Sequence, residues 1–193
     1  MLLTSLMQQC APQVALATMS AIVRVESGGN PLAMWNNTTR SMVVPGSRLQ
    51  AIAYLRQAMS AGDLVDVGLA QVDTENFAYL GLRPGNAFDV CTNLRAGSRI
   101  LMADYRRATS VYGSGQSALF HAFEAYNSGR FRGDSEYADR ILSAAGLPTA
   151  SQRTASLPTA SQKHVPLTIQ VAWGDKKVGS KPVRTGAAYI VNW

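Results

Sequence analysis

Glu26 is followed by Ser27, Gly28, Gly29, Asn30 and Pro31, an order that places a carboxyl group where its ionisation can be moved. Met19, Ile22 and Val23 fall at i, i+3 and i+4 behind Thr18, so the segment reads as a helix capped by Thr18, with one buried face, ended by Gly28, Gly29 and Pro31. Glu26 then lies in the last turn. The carbonyl end of a helix carries partial negative charge and disfavours a second negative charge beside it. An apolar wall from Val23 and its neighbours acts in the same direction. Both raise the carboxyl toward the range in which it donates a proton near neutral pH, which makes Glu26 the candidate general acid. A lone Glu-Ser-Gly also describes an ordinary surface glutamate at a helix end, so the assignment depends on what accompanies it.

Two further pieces do. Gly68-Leu69-Ala70-Gln71 lies in a short, β-branched, irregular stretch at 63–72, expected to be a turn or minor strand. Ala125-Tyr126-Asn127-Ser128-Gly129 closes a helix expected from 114 to about 126. Taken singly, Gln71 reads as a turn residue, Tyr126 as a core aromatic and Asn127 as a helix C-cap. Glu124 is a rival carboxylate, expected on the solvated side of its helix because Phe120, Phe123 and Tyr126 point elsewhere.

The elements that must position these residues are mostly helical. Residues 31–46, with Trp35, Asn36 and Asn37, show neither helical nor strand periodicity and are expected to form a polar loop bordering a cleft. Ser47 caps an expected helix at 48–61, with Leu49, Ile52, Ala53, Leu55 and Met59 as its apolar stripe and Gly62 as its stop. A short helix at 74–80 ends at Gly81. Asp89 caps the longest, 90–112, with Leu94, Gly97, Ile100, Leu101, Tyr105 and Ala108 facing inward. Asp134 begins the last, to 145, closed by Gly146.

From residue 147 the texture changes. Leu-Pro-Thr-Ala-Ser-Gln occurs at 147–152 and again at 157–162, a repeat that buries little and reads as a flexible linker. Residues 165–171 and 187–191 have strand character, too little for an independent domain. The expected organisation is a mainly α domain at 1–146 with a minor turn or small β segment, a linker at 147–164 and a basic strand-like tail at 165–193.

The 193 residues are 47% hydrophobic, enough for a real core, and carry a formal charge of +6. That charge is not spread as on a nucleic-acid-binding face. Residues 1–150 hold 12 Arg, no Lys and 11 acidic residues, whereas 151–193 hold six basic residues and only Asp175. No run of 18 or more apolar residues occurs, so no membrane-spanning helix is indicated. The first nine residues lack a basic n-region and are too short for a secretory signal, so export is expected either through a leader missing from this sequence or by an atypical route. Cys10, Cys91, His121 and His164 do not match familiar zinc spacings, and neither a metal nor a cofactor is expected. The two cysteines are compatible with one disulfide in an oxidising compartment and equally with two unlinked buried thiols.

The ordered set Glu26-Ser27, Gly68-Leu69-Ala70-Gln71 and Ala125-Tyr126-Asn127-Ser128-Gly129 resembles the goose-type-lysozyme-like lytic transglycosylases. Their motifs have the forms Glu-Ser, Gly-Leu-Met-Gln and Ala-Tyr-Asn-x-Gly, in the same order and spacing. Cys-Ala-Pro at 10–12, the long insert before Val-Asp-Val-Gly-Leu, and Ala-Phe-Asp-Val-Cys-Thr-Asn-Leu at 87–94 look more narrowly like the transglycosylases of type IV secretion and conjugation systems. The resemblance covers about residues 10–146. It implies a lysozyme-like helical domain in the periplasm acting on peptidoglycan glycan strands, with Glu26 as the single acid and base. Ser27 orients that carboxyl or contacts substrate, Gln71 lines the sugar groove, and Tyr126 and Asn127 hold the acid and bind an N-acetyl sugar. Tyr137, in Glu136-Tyr137-Ala138, closes the site from the last helix, with Ala138 where Val is more usual. Ala70 replaces the common Met.

In the exported protein Cys10 and Cys91 are expected to pair, because the N-terminal segment otherwise has little to anchor it to the long helix. The resemblance also implies secretion-system components as partners for the basic tail and an anhydro product from cleavage. Two readings compete with it. A lysozyme-like hydrolase of the same fold needs a second acid, for which Asp63, Asp66 and Asp73 are conceivable. A non-catalytic wall-binding assembly factor would need a degenerate groove.

Overall fold

The computed structural model describes residues 2–149 and residue 152. The expected tail at 165–193 and most of the expected linker lie outside the described residues. The architecture is mainly α, as expected, with helices α1 (Leu3–Cys10), α2 (Leu16–Ser27), α3 (Arg48–Ala61), α4 (Phe77–Leu80), α5 (Val90–Tyr112), α6 (Gln116–Ser128) and α7 (Ser135–Ala144). Four short strands, β1 (Met34–Asn36), β2 (Ser41–Val43), β3 (Val65–Val67) and β4 (Val72–Asp73), form one antiparallel sheet in the order β2-β1-β3-β4. No helix among the described residues is long and apolar enough to cross a membrane.

Helix boundaries follow the cap chemistry. Ser47, Asp89 and Asp134 each accept a backbone N–H of the helix that follows, from Gln50, Thr92 and Tyr137. Gly28, Gly62, Gly81 and Gly129 end α2, α3, α4 and α6 in the left-handed conformation. Helix α5 is the spine. Its Leu94, Ile100, Leu101 and Ala108 are buried, as are Leu119 and Phe123 of α6 and Met19, Ile22 and Val23 of α2; α5 packs on α6, α6 on α7 and α7 on α2.

The N-terminal segment forms α1, which packs on α5 and is joined to it by a Cys10–Cys91 disulfide with the Cα atoms 5.1 Å apart. The pairing thus takes the linked alternative that the sequence left open.

Four local expectations are corrected. Helix α2 starts at Leu16 with Ala15 in the cap position, and Thr18 is inside the helix and 3% exposed; packing of its face overrides the capping preference. The buried stripe of α3 is Ala51, Leu55 and Ala58, whose small members let the helix approach β3, while Leu49 is 80% exposed and Ala53 faces solvent. Along α5 Asp104 is fully buried, and Tyr105, expected to face inward, is only half-buried. The supposed loop at 31–46 contains β1 and β2, strands of three residues, too short to register a two-residue period.

Candidate active site

Glu26 lies in the last turn of α2, as expected. It is half-buried, and enough protein surrounds its carboxyl for desolvation to dominate its ionisation, raising it from the ordinary 4.5 to about 7. Two weaker effects oppose that rise. The Tyr137 hydroxyl on α7 donates a hydrogen bond to Glu26 Oε1, and the positive charge of Arg140 favours the carboxylate. Burial and the nearby Glu26 push Tyr137 well above the usual phenol range, so it stays a donor. A carboxyl poised near neutrality beside a permanent donor can give up a proton and take one back.

The other matched residues build the frame around this carboxyl. Ser27 is buried, and its hydroxyl is 2.9 Å from the Leu69 carbonyl and 3.1 Å from that of Val23, contacts that tie the end of α2 to the Gly68–Gln71 turn rather than to the Glu26 carboxyl. Tyr126, also buried, donates to the Ala70 carbonyl at 2.7 Å, so the same turn is held from α6. Gln71 has a positive φ of 43°, and its Nε2 donates to the carbonyls of Gly68 at 2.8 Å and Ala33 at 3.1 Å. The amide nitrogen is spent on keeping the turn in this uncommon conformation.

Asn127 acts at one remove. Its Nδ2 donates to Asp134 Oδ2, while Asp134 Oδ1 caps α7 by accepting the Tyr137 N–H at 2.9 Å. The link Asn127–Asp134–Tyr137–Glu26 therefore connects the end of α6 to the acid. Asn127 is only 4% exposed in this arrangement.

Asn93 falls inside the stretch at 87–94 but carries no local sequence signal of a role at the site. Buried in α5, it accepts from Ala70 N–H at 2.8 Å and donates to the carbonyls of Val67 and Ala87 at 2.8 and 3.1 Å. A Cβ on Gly68 would lie 2.5 Å from Asn93 Nδ2, so glycine is what allows this close approach. Gly97 is similarly constrained, since a Cβ there would meet the Ala70 Cβ at 2.4 Å. The small Ala70 where Met is common fits a turn pressed against the helix.

The conceivable second acids are now located. Asp66 on β3 and Asp73 on β4 are direct cross-strand partners, both buried, and Asn37 Nδ2 donates to both, at 3.0 and 3.3 Å. Desolvation and the neighbouring Asp73 raise Asp66 well above the usual carboxylate range, with a further contribution from Glu26; desolvation chiefly raises Asp73 to about 6. Burial and the facing Asp73 thus favour the protonated form of Asp66. A carboxyl raised in this way is poorly suited to take a proton from water near neutral pH. Asp63 is engaged by Asn36 Nδ2 at 2.9 Å.

Glu124 is not on a solvated face. It is 4% exposed, and His121 Nδ1 lies 2.5 Å from its Oε2 and 2.7 Å from the Phe131 carbonyl oxygen. The i, i+3 pairing with His121, whose ring also meets the Phe131 carbonyl, accompanies that burial.

Residues 4–140 match the family model described as the transglycosylase SLT domain. Among curated proteins, the chain is similar to the type IV secretion system protein virB1 of Brucella abortus (strain 9-941), with 39% identity over 152 residues covering 75% of this chain and 64% of that protein. It is also similar to protein virB1 of Rhizobium radiobacter, with 38% identity over 124 residues, 64% of this chain and 52% of that protein. The chain thus spans from about half to just under two thirds of the length of these relatives. No solved structure matches it. The family match includes Glu26, the turn at Gly68–Gln71, the end of α6 and Tyr137, the same parts that converge on one carboxyl, and the chain belongs to the transglycosylase SLT domain family.

Proposed function

We propose that this protein is a peptidoglycan lytic transglycosylase that cleaves the β-1,4 bond between N-acetylmuramic acid and N-acetylglucosamine and leaves a 1,6-anhydro end. The observation that carries this reading is the solitary poise of Glu26: a carboxyl raised to about 7 with Tyr137 on one oxygen, while burial and Asp73 raise Asp66 well above the usual carboxylate range. Most glycoside hydrolases need two carboxyl groups, one of them to activate water or attack the sugar. A muramyl C6 hydroxyl is tethered to the reacting ring and needs no such help.

Glu26 protonates the glycosidic oxygen as the C1–O bond breaks, and the substrate's acetamido oxygen stabilises C1. The Glu26 carboxylate, held by the Tyr137 hydroxyl, then accepts the C6 hydroxyl proton as that oxygen bonds to C1, and the acid is regenerated. Ser27, Gln71, Tyr126 and Asn127 serve this reaction by fixing the turn and α7 around the carboxyl. The acting site is the periplasmic wall, where local opening would make room for a type IV secretion or conjugation apparatus. The names of the virB1 relatives favour that setting. Secretion components are the proposed partners of the basic tail.

Replacing Glu26 by Gln tests the assignment, because the amide keeps the shape but transfers no proton. Release of wall fragments should fall at least a hundredfold with the thermal transition retained. Substantial activity in the folded variant would overturn the role.

A further inference from the structure

Arg140 follows Tyr137 by one turn of α7, and its guanidinium carbon lies 5.5 Å from the centre of the Tyr137 ring. Since that tyrosine touches the Glu26 carboxyl, a fixed positive charge stands near the pair, and both Glu26 and Tyr137 feel it. The side chain is half-buried, and its Nε is enclosed with no hydrogen-bond partner. The ion pairs found among the described residues, Arg107 with Asp104 and His121 with Glu124, do not include it. A guanidinium N–H enclosed without an acceptor is costly, and a carboxylate is the group the planar fork of this side chain matches.

The glycan supplies one. In a strand of alternating N-acetylglucosamine and N-acetylmuramic acid every ring substituent is neutral except the side group on the muramyl C3 ether. That group ends in a carboxylate, either the lactyl acid itself or an acid of the peptide attached to it. We infer that Arg140 is a specificity-determining residue that binds this side-group carboxylate, so that the muramyl unit is recognised by its acid and seated beside Glu26. The inference rests on the muramyl-glycan reading proposed above. It assigns Arg140 to substrate charge, whereas Tyr137 remains the partner of the acid.

The test uses the full chain carrying Glu26→Gln, so that ligands are bound without being cut, and three tetrasaccharides of the alternating strand. One has free lactyl acids, one has lactyl-alanine with the carboxylate one residue further out, and one has lactyl methylamides, which are neutral. Adding Arg140→Gln should weaken one or both acidic ligands about tenfold and leave the methylamide unchanged, the acid affected marking where the carboxylate sits. Arg140→Lys should recover part of the loss. Unchanged binding of both acids, or an equal loss on all three ligands, would overturn the inference while leaving the muramyl reading intact. Binding of none of the three to the Glu26→Gln parent would overturn the muramyl reading itself and this inference with it.

Discussion

The Tyr137 hydroxyl donates to Glu26 Oε1 across the α2–α7 packing face, joining two residues 111 positions apart in the chain. The bond favours the carboxylate against the desolvation that raises it, and it places a donor on the oxygen that must become negative when the proton leaves.

Replacing Tyr137 by Phe should therefore raise the Glu26 carboxyl further and shift the alkaline fall of activity to higher pH. The rate below that fall should drop by roughly 10 to 100-fold, the range expected for loss of a hydrogen bond to a charged group, about 1.5–3 kcal/mol. A pH profile of wall-fragment release checks both. An unshifted profile would show that Tyr137 acts only through packing.

This relationship marks a limit of what the residues disclose by themselves. Helices α3, α5 and α7 are legible because Ser47, Asp89 and Asp134 cap them, and the ends at Gly28, Gly62, Gly81 and Gly129 because glycine adopts the left-handed turn. Glu26 is legible as a helix-end carboxylate. Tyr137 is recognisable only by resemblance, since nothing in its own neighbourhood points to a residue on α2. Tertiary packing explains the misses: Glu124 is buried beside the His121 ring, which also meets the Phe131 carbonyl, Leu49 lies outward because Ala51 and Ala58 take the close contact, and Asn93 serves a turn more than twenty residues before it. Arg140 carries no local signal; its position matters because Tyr137 lies beneath it.

The Cys10–Cys91 bond closes a loop with a sequence separation of 81. In the chain-entropy model a loop of that length contributes about 4.5 kcal/mol by restricting the unfolded chain. Reduction, or Cys10→Ser with Cys91→Ser, should lower the thermal midpoint by several degrees and free α1 first. Melts with and without reductant, read together with hydrogen exchange in 3–10, check this; an unchanged midpoint would contradict it.

Asp104 is buried in α5, and desolvation raises its carboxyl from 3.8 to about 7 against the opposing Arg107. A group raised on folding contributes stability that is fully present below its unfolded value and lost as pH climbs through its folded value. The fold should therefore lose stability between about pH 4 and pH 7, with an upper bound of ~4 kcal/mol from this group. Asp104→Asn should flatten that dependence, gaining on the parent at pH 8 relative to pH 5. Denaturant melts at the two pH values measure the difference, and parallel behaviour of the two proteins would refute it.

Whether Glu26 acts alone on a tethered hydroxyl is read from the masses of the fragments released from purified peptidoglycan. With Glu26 acting alone, the muropeptides should end in 1,6-anhydro-N-acetylmuramic acid, lighter by one water than reducing ends. Fragments dominated by hydrated reducing ends would contradict it and make water, activated by a second carboxylate, the nucleophile.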